Sequence, residues 1–79
     1  MGKTKIIGLI DEYRKSARDI DNNFMDPERR EVHEREEKFY KPRFAKLGVS
    51  ASIISTIYAS RNNEEGIEEI KENIEKYLN

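Results

Sequence analysis

The residues best equipped for chemistry in this 79-residue chain are its one histidine and its sixteen carboxylates. His33 precedes Glu34, Glu36 and Glu37, and Glu37 lies one helical turn along on the same face. A histidine and a carboxylate at that spacing supply two ligands of a metal site. Such a site needs three or four at fixed geometry, and there is no second histidine and no cysteine to complete it. His33 is therefore expected to be solvated on a charged helix. Asp19, Asp21 and Asn23 alternate as the first ligands of a calcium loop do. The sixth place of that loop, which needs glycine, holds Phe24, and the twelfth, which needs a bidentate acid, holds Arg30. Gly2-Lys3-Thr4 has the end of a phosphate loop without the strand and glycine-rich body that precede it. One histidine without cysteine leaves no nucleophile–base set. A carboxylate catalyst needs a concave, partly desolvated pocket, which small domains of long charged helices seldom build. No catalytic residue, metal, cofactor or small-molecule substrate is expected.

The elements that would position any site are helical. Charged residues make up 39% of the chain and apolar ones 35%, with two prolines and four glycines, which is a helix-forming composition. Ile6, Leu9, Ile10, Tyr13, Ala17 and Ile20 recur at spacings of three and four, predicting a helix over 3–20 with one apolar face. Asp21-Asn22-Asn23 ends it, and Phe24 and Met25 are expected to tuck inward. Asp26 as cap and Pro27 at the first helical position open a second helix over 27–40. Its large apolar groups are Val32, Phe39 and Tyr40. Pro42 predicts a break and a short helix over 42–47, because the residue before a proline resists helical geometry. Gly48 suits the left-handed position that closes that helix, and Ser50 caps the next, over 51–61. A last helix over 64–78 carries Ile67, Ile70, Ile74, Tyr77 and Leu78 on one face and acids in its first turns. With no strand pattern or repeat, the expectation is all-α: a single domain forming a compact bundle of four to five helices. A domain this small buries only about 60% of its unfolded surface, so a homodimer is an expected way to add burial. The apolar patch Ile6–Ile10 is far too short for a signal peptide or a membrane span. A myristoylation signal would want Ser or Thr where Ile6 stands. A cytoplasmic protein without membrane attachment is expected.

The net charge of −1 hides a strong segregation. Residues 1–19 hold five bases and three acids, and residues 20–40 hold four and seven. Residues 41–62 hold four bases and no acid, and residues 63–79 hold two bases and six acids. A surface that meets DNA must avoid carboxylates. A buried segment avoids them too, and the sequence alone leaves both explanations open for the acid-free stretch 38–63.

Within that stretch, Leu47-Gly48-Val49 forms an apolar–glycine–apolar turn, followed by Ile54 and Ile57 on the second helix. The segment 43–61 resembles the helix-turn-helix of bacterial and phage regulators of the repressor and Cro type. It departs from that pattern where the first helix usually carries a small residue: Phe44 stands there, with Ala45 one place late, and Arg43 holds the apolar position before it. The resemblance implies DNA as partner and transcription regulation as role. It implies Ser50, Ala51, Ser52, Ser55, Thr56 and Ala59 facing the groove, and Lys41, Arg43, Lys46 and Arg61 meeting phosphates. Hydroxyls can bond phosphates or base edges, but no Arg, Asn or Gln offers two-point base reading on this helix. The DNA reading predicts a basic face that includes Lys41, Lys46 and Arg61 side by side.

The alternative is a protein partner. The mixed-charge helix 27–40 presents Arg29, Arg30, Glu34 and Glu37 as a docking surface. Small, highly charged helical chains rich in Lys, Glu, Ile and Asn resemble phage and prophage accessory proteins of low-GC bacteria, which implies binding to a host protein. Dispersed basic residues and an exposed apolar or mixed patch would accompany that reading.

Overall fold

The structure is a computed structural model that describes residues 2–78. It is all-α. Helix α1 spans Gly2–Asn23, α2 Glu28–Lys46, α3 Ala51–Ala59 and α4 Glu64–Glu72, and a 3-10 turn covers Ile74–Tyr77. Among the described residues no helix is long and apolar enough to cross a membrane.

α1 buries Ile6, Ile10, Tyr13, Ala17 and Ile20, the expected stripe, with Leu9 at its edge. α2 runs antiparallel to it. Tyr13 meets Tyr40, Ser16 bonds to Glu36, and Asp21 reaches His33, so the pairing steps up one helix and down the other. The connecting loop differs from expectation. Met25 is 83% exposed and Phe24 is only half-buried. Pro27 already has helical torsions (φ −86°, ψ −6°), so Asp26 stands one place too early to cap. Its carboxylate pairs instead with Arg29 at 2.9 Å.

The largest departure is at Pro42. The expected break between 27–40 and 42–47 does not occur, and α2 continues through the proline to Lys46. An interior proline removes a ladder hydrogen bond and costs about 3 kcal/mol. Here Pro42 faces solvent, while Tyr40 (4% exposed) and Phe44 (0%), one turn apart, both enter the core. Seating two aromatic rings outweighs the lost bond, since burying each is worth about 1.5–3 kcal/mol. Side chains also supply donors to carbonyls beside the interruption. The Tyr58 hydroxyl donates to Glu37 O at 2.7 Å and Arg43 donates to Phe39 O at 2.8 Å.

The following turn forms as expected. Gly48 has φ 92°, and Ser50 Oγ accepts from Ile53 N at 3.4 Å. Phe44 enters the core at this turn. It is fully buried, and its carbonyl accepts from Leu47 N and Val49 N as α2 closes. α3 stops at Ala59, short of the expected 61, and buries Ile54 and Ile57. Asn63 caps α4 by accepting from Gly66 N at 3.0 Å. The expected helix 64–78 is interrupted at Asn73, whose side chain donates to Glu69 O at 2.9 Å and competes with the ladder. The tighter turn beyond it buries Ile74 and lets Leu78 pair with Val49 in an isolated antiparallel bridge.

The core joins all these elements around four aromatic rings. Tyr13 lies 5.4 Å from Tyr40 and 4.9 Å from Tyr58 between centroids, and Phe44 lies 6.4 and 6.5 Å from the same two. Burial pushes the hydroxyls of Tyr13 and Tyr40 up to about 12, with the Glu12 carboxylate adding to the effect at Tyr40, and burial raises Tyr58 also.

Pro42→Ala restores the missing donor, so it is expected to stabilise the fold by about 1–3 kcal/mol and to raise the melting temperature by roughly 5–15 °C. A lower melting temperature would show that the proline geometry itself seats Tyr40 and Phe44. The raised phenols favour the folded state below the ordinary tyrosine value near 10, and that stabilisation is lost as pH climbs toward about 12. Thermal melts across this window are expected to hold up to about pH 10 and then fall. A constant melting temperature through that range would contradict burial of these rings.

Candidate functional site

The loop end of the α1–α2 hairpin gathers the pairs Asp26–Arg29, Asp21–His33 and Glu37–Arg61. Asp21 comes from the last turn of α1 and Asp26 from the loop. Arg29, Arg30, His33, Glu34 and Glu37 come from successive turns of α2, and Arg61 and Asn62 from the α3–α4 turn. Together they line a groove of about 720 Å3. The α3–α4 turn is held there because the Arg61 carbonyl accepts from Arg14 Nε at 3.0 Å, and Arg14 also pairs with Glu64 at 2.9 Å. That pairing raises the Arg14 guanidinium and lowers the Glu64 carboxyl from their ordinary values.

The expectation of a solvated His33 is not met. The ring is 6% exposed, and Nε2 donates to Asp21 Oδ1 at 2.6 Å. His33 lies seven residues before Tyr40 and eleven before Phe44, so helical geometry turns it toward α1 with them. Nδ1 is buried without a hydrogen-bond partner among the described residues, as are Arg61 Nε and the Tyr13 hydroxyl. Arg61 also reaches the Tyr58 carbonyl at 3.3 Å and Glu37 at 3.6 Å. Chemically this is a groove of alternating cations and carboxylates, several already paired within it, with a buried imidazole at its floor. Among the described residues no group of three or more His, Asp or Glu side chains is placed to hold a metal ion.

The four residues expected as a protein-docking surface, Arg29, Arg30, Glu34 and Glu37, therefore share one groove. Those implied by the helix-turn-helix resemblance divide. Arg61 lies in this charged groove. Lys41 lines a second, of about 310 Å3, with Ala51, Ile54, Ser55 and Tyr58 between α2 and α3. Arg43 and Lys46 line a third against α1. The first two of these grooves adjoin, since Glu34 and Glu37 line both, so acids border the surface that carries Lys41 and Arg61, while Lys46 lines the groove against α1. Ser52, Ser55 and Thr56 are exposed on α3, but Thr56 donates to Ser52 O at 2.9 Å. The Ser50 hydroxyl caps the helix and lies 3.2 Å from that of Ser52. Sequence reasoning missed His33 as a buried group, although its register with Tyr40 and Phe44 was available, and missed Asp21 and Asn62 as groove residues, which carried no local signal.

Comparison with known protein families, with curated proteins and with solved structures finds no match for the chain.

Replacing the buried imidazole exposes its contribution. His33→Ala leaves Asp21 without its donor and opens a void, so a loss of about 1–3 kcal/mol is expected in urea unfolding. A loss below about 0.5 kcal/mol, as for an ordinary surface site, would mean that the ring is not packed as described.

Proposed function

We propose that this chain is a small non-enzymatic regulator that acts by binding a protein partner, with the charged groove at the hairpin loop as its docking surface. The observation that carries this reading is that Arg29, Arg30, Glu34 and Glu37 line one groove together with His33 and Arg61. Mixed charge of this kind favours one orientation of one partner, because misaligned like charges oppose each other. Carboxylates border the bases of the helix-turn-helix reading, Glu34 and Glu37 beside Lys41 and Arg61 and Glu12 beside Arg43 and Lys46, which counts against a phosphate-binding face.

DNA binding is the second reading. It is favoured by the turn itself, with Gly48 left-handed, Ser50 capping and Ser52, Ser55 and Thr56 exposed on α3. The two readings separate in one pair of experiments. Affinity capture from bacterial extract is run with the wild-type chain and with an Arg30→Glu/Glu34→Lys variant, which alters only exposed side chains. A specific protein is expected on the wild-type chain, bound at least roughly tenfold more weakly by the variant. Equal capture by both would remove the groove from consideration. Amide shifts on adding a generic duplex at about 50 mM salt, clustered at 41–61 and fading by about 200 mM, would instead establish the DNA reading.

A further inference from the structure

A separate surface occupies the opposite end of the α1–α2 hairpin and uses none of the charged groove's residues. Lys5, Gly8, Leu9 and Glu12 are spaced along one side of α1, and Arg43, Lys46 and Leu47 face them from the end of α2. They line an open groove of about 550 Å3. Leu9 and Leu47 form its floor, packed on the core beneath and half-buried. Phe39, 47% exposed, lies one turn before Arg43 on α2 and carries the Arg43 guanidinium over its ring.

Gly8 is the informative residue. A glycine within a helix costs about 0.5–1 kcal/mol relative to alanine. The fold does not require it: its torsions are not left-handed, and an added Cβ would meet nothing within 4 Å. The fold therefore gains nothing from the missing side chain, whereas a backbone approaching from outside would. The rim adds a sign. Lys5, Arg43 and Lys46 surround a single carboxylate, Glu12, and among the described residues none of the three cations is in an ion pair. Arg43 is pre-positioned, stacked 3.6 Å from the Phe39 ring centroid and bonded to the Phe39 carbonyl.

We infer that this groove docks an acidic amphipathic helix of a partner protein. The helix lays its apolar stripe on Leu9 and Leu47, passes its backbone over Gly8, and sets its carboxylates against Lys5, Arg43 and Lys46. A second copy of the chain does not supply that helix. Its own acidic helix, α4, has Ile67 and Ile70 already buried in the core.

The test is a titration of the isotope-labelled full chain with a synthetic helix of about 18 residues, roughly five turns. The peptide carries leucine at helical spacing and glutamate elsewhere, and a matched control has lysine in place of glutamate. Saturable amide shifts centred on Lys5, Gly8, Leu9, Lys46 and Leu47 are expected with the acidic peptide alone. Gly8→Gln places a helix-forming side chain in the groove, so it is expected to raise the melting temperature while weakening the peptide roughly tenfold. Lys46→Glu is expected to weaken it comparably. Absent shifts, shifts centred on the charged groove, equal binding of the basic peptide, or unchanged affinity in Gly8→Gln would each overturn the inference. So would concentration-dependent dimerisation that moves these same amides without peptide.

Discussion

The placement of Tyr13 is the constraint on which the rest depends. Its ring is fully buried and meets Tyr40 of α2 edge to face and Tyr58 of α3 at a tilt. One side chain thus ties the long first helix to both its neighbours. Aromatic pairs of this kind add about 0.5–1.5 kcal/mol each beyond the area they bury, a large share of the total where a whole domain is stable by only about 5–15 kcal/mol. Phe44 closes the cluster from the last turn of α2, which is why that helix runs through Pro42. The same cluster aligns the charged groove. Tyr58 holds the Glu37 carbonyl, and its own carbonyl receives the Arg61 guanidinium.

Charge that is segregated along the chain is interleaved in space. Acidic α4 lies against α1 through Lys71–Asp11 at 2.5 Å and Arg14–Glu64 at 2.9 Å. The acid-free stretch has a buried side and an exposed side. Phe44, Val49, Ile54 and Ile57 are buried, which explains part of the bias, while Lys41, Ser52, Ser55 and Thr56 are exposed on its other side. The antiparallel hairpin then gives the molecule two ends of different character. The loop end gathers both signs around a buried imidazole, and the far end offers apolar floor beneath a basic rim.

Much of this was readable from local pattern. The α1 stripe, the left-handed Gly48, the Ser50 cap and the buried isoleucines of α3 and α4 each follow from helical spacing or from one residue's conformational preference. The errors fall where a distant residue outweighed a local rule. Pro42 should stop a helix, and did not because Tyr40 and Phe44 on either side were captured by α1 and α3. Asp26 is the local exception: Pro27 next to it takes the cap position, and its carboxylate pairs three residues on with Arg29. His33 sits in one of the most charged runs of the chain, yet is buried because Asp21, twelve residues away on another helix, supplies its partner.

By itself, then, the sequence determined the helical class, the turn chemistry and which residues could form a core, because periodicity, capping and glycine torsions act within a few residues. The tertiary structure alone decided where α2 ends, which acids and bases meet, and which surfaces remain open. Those outcomes depend on competition between contacts far apart in the chain. A lost hydrogen bond or a paired charge is weighed there against the burial of a ring that no neighbouring residue predicts.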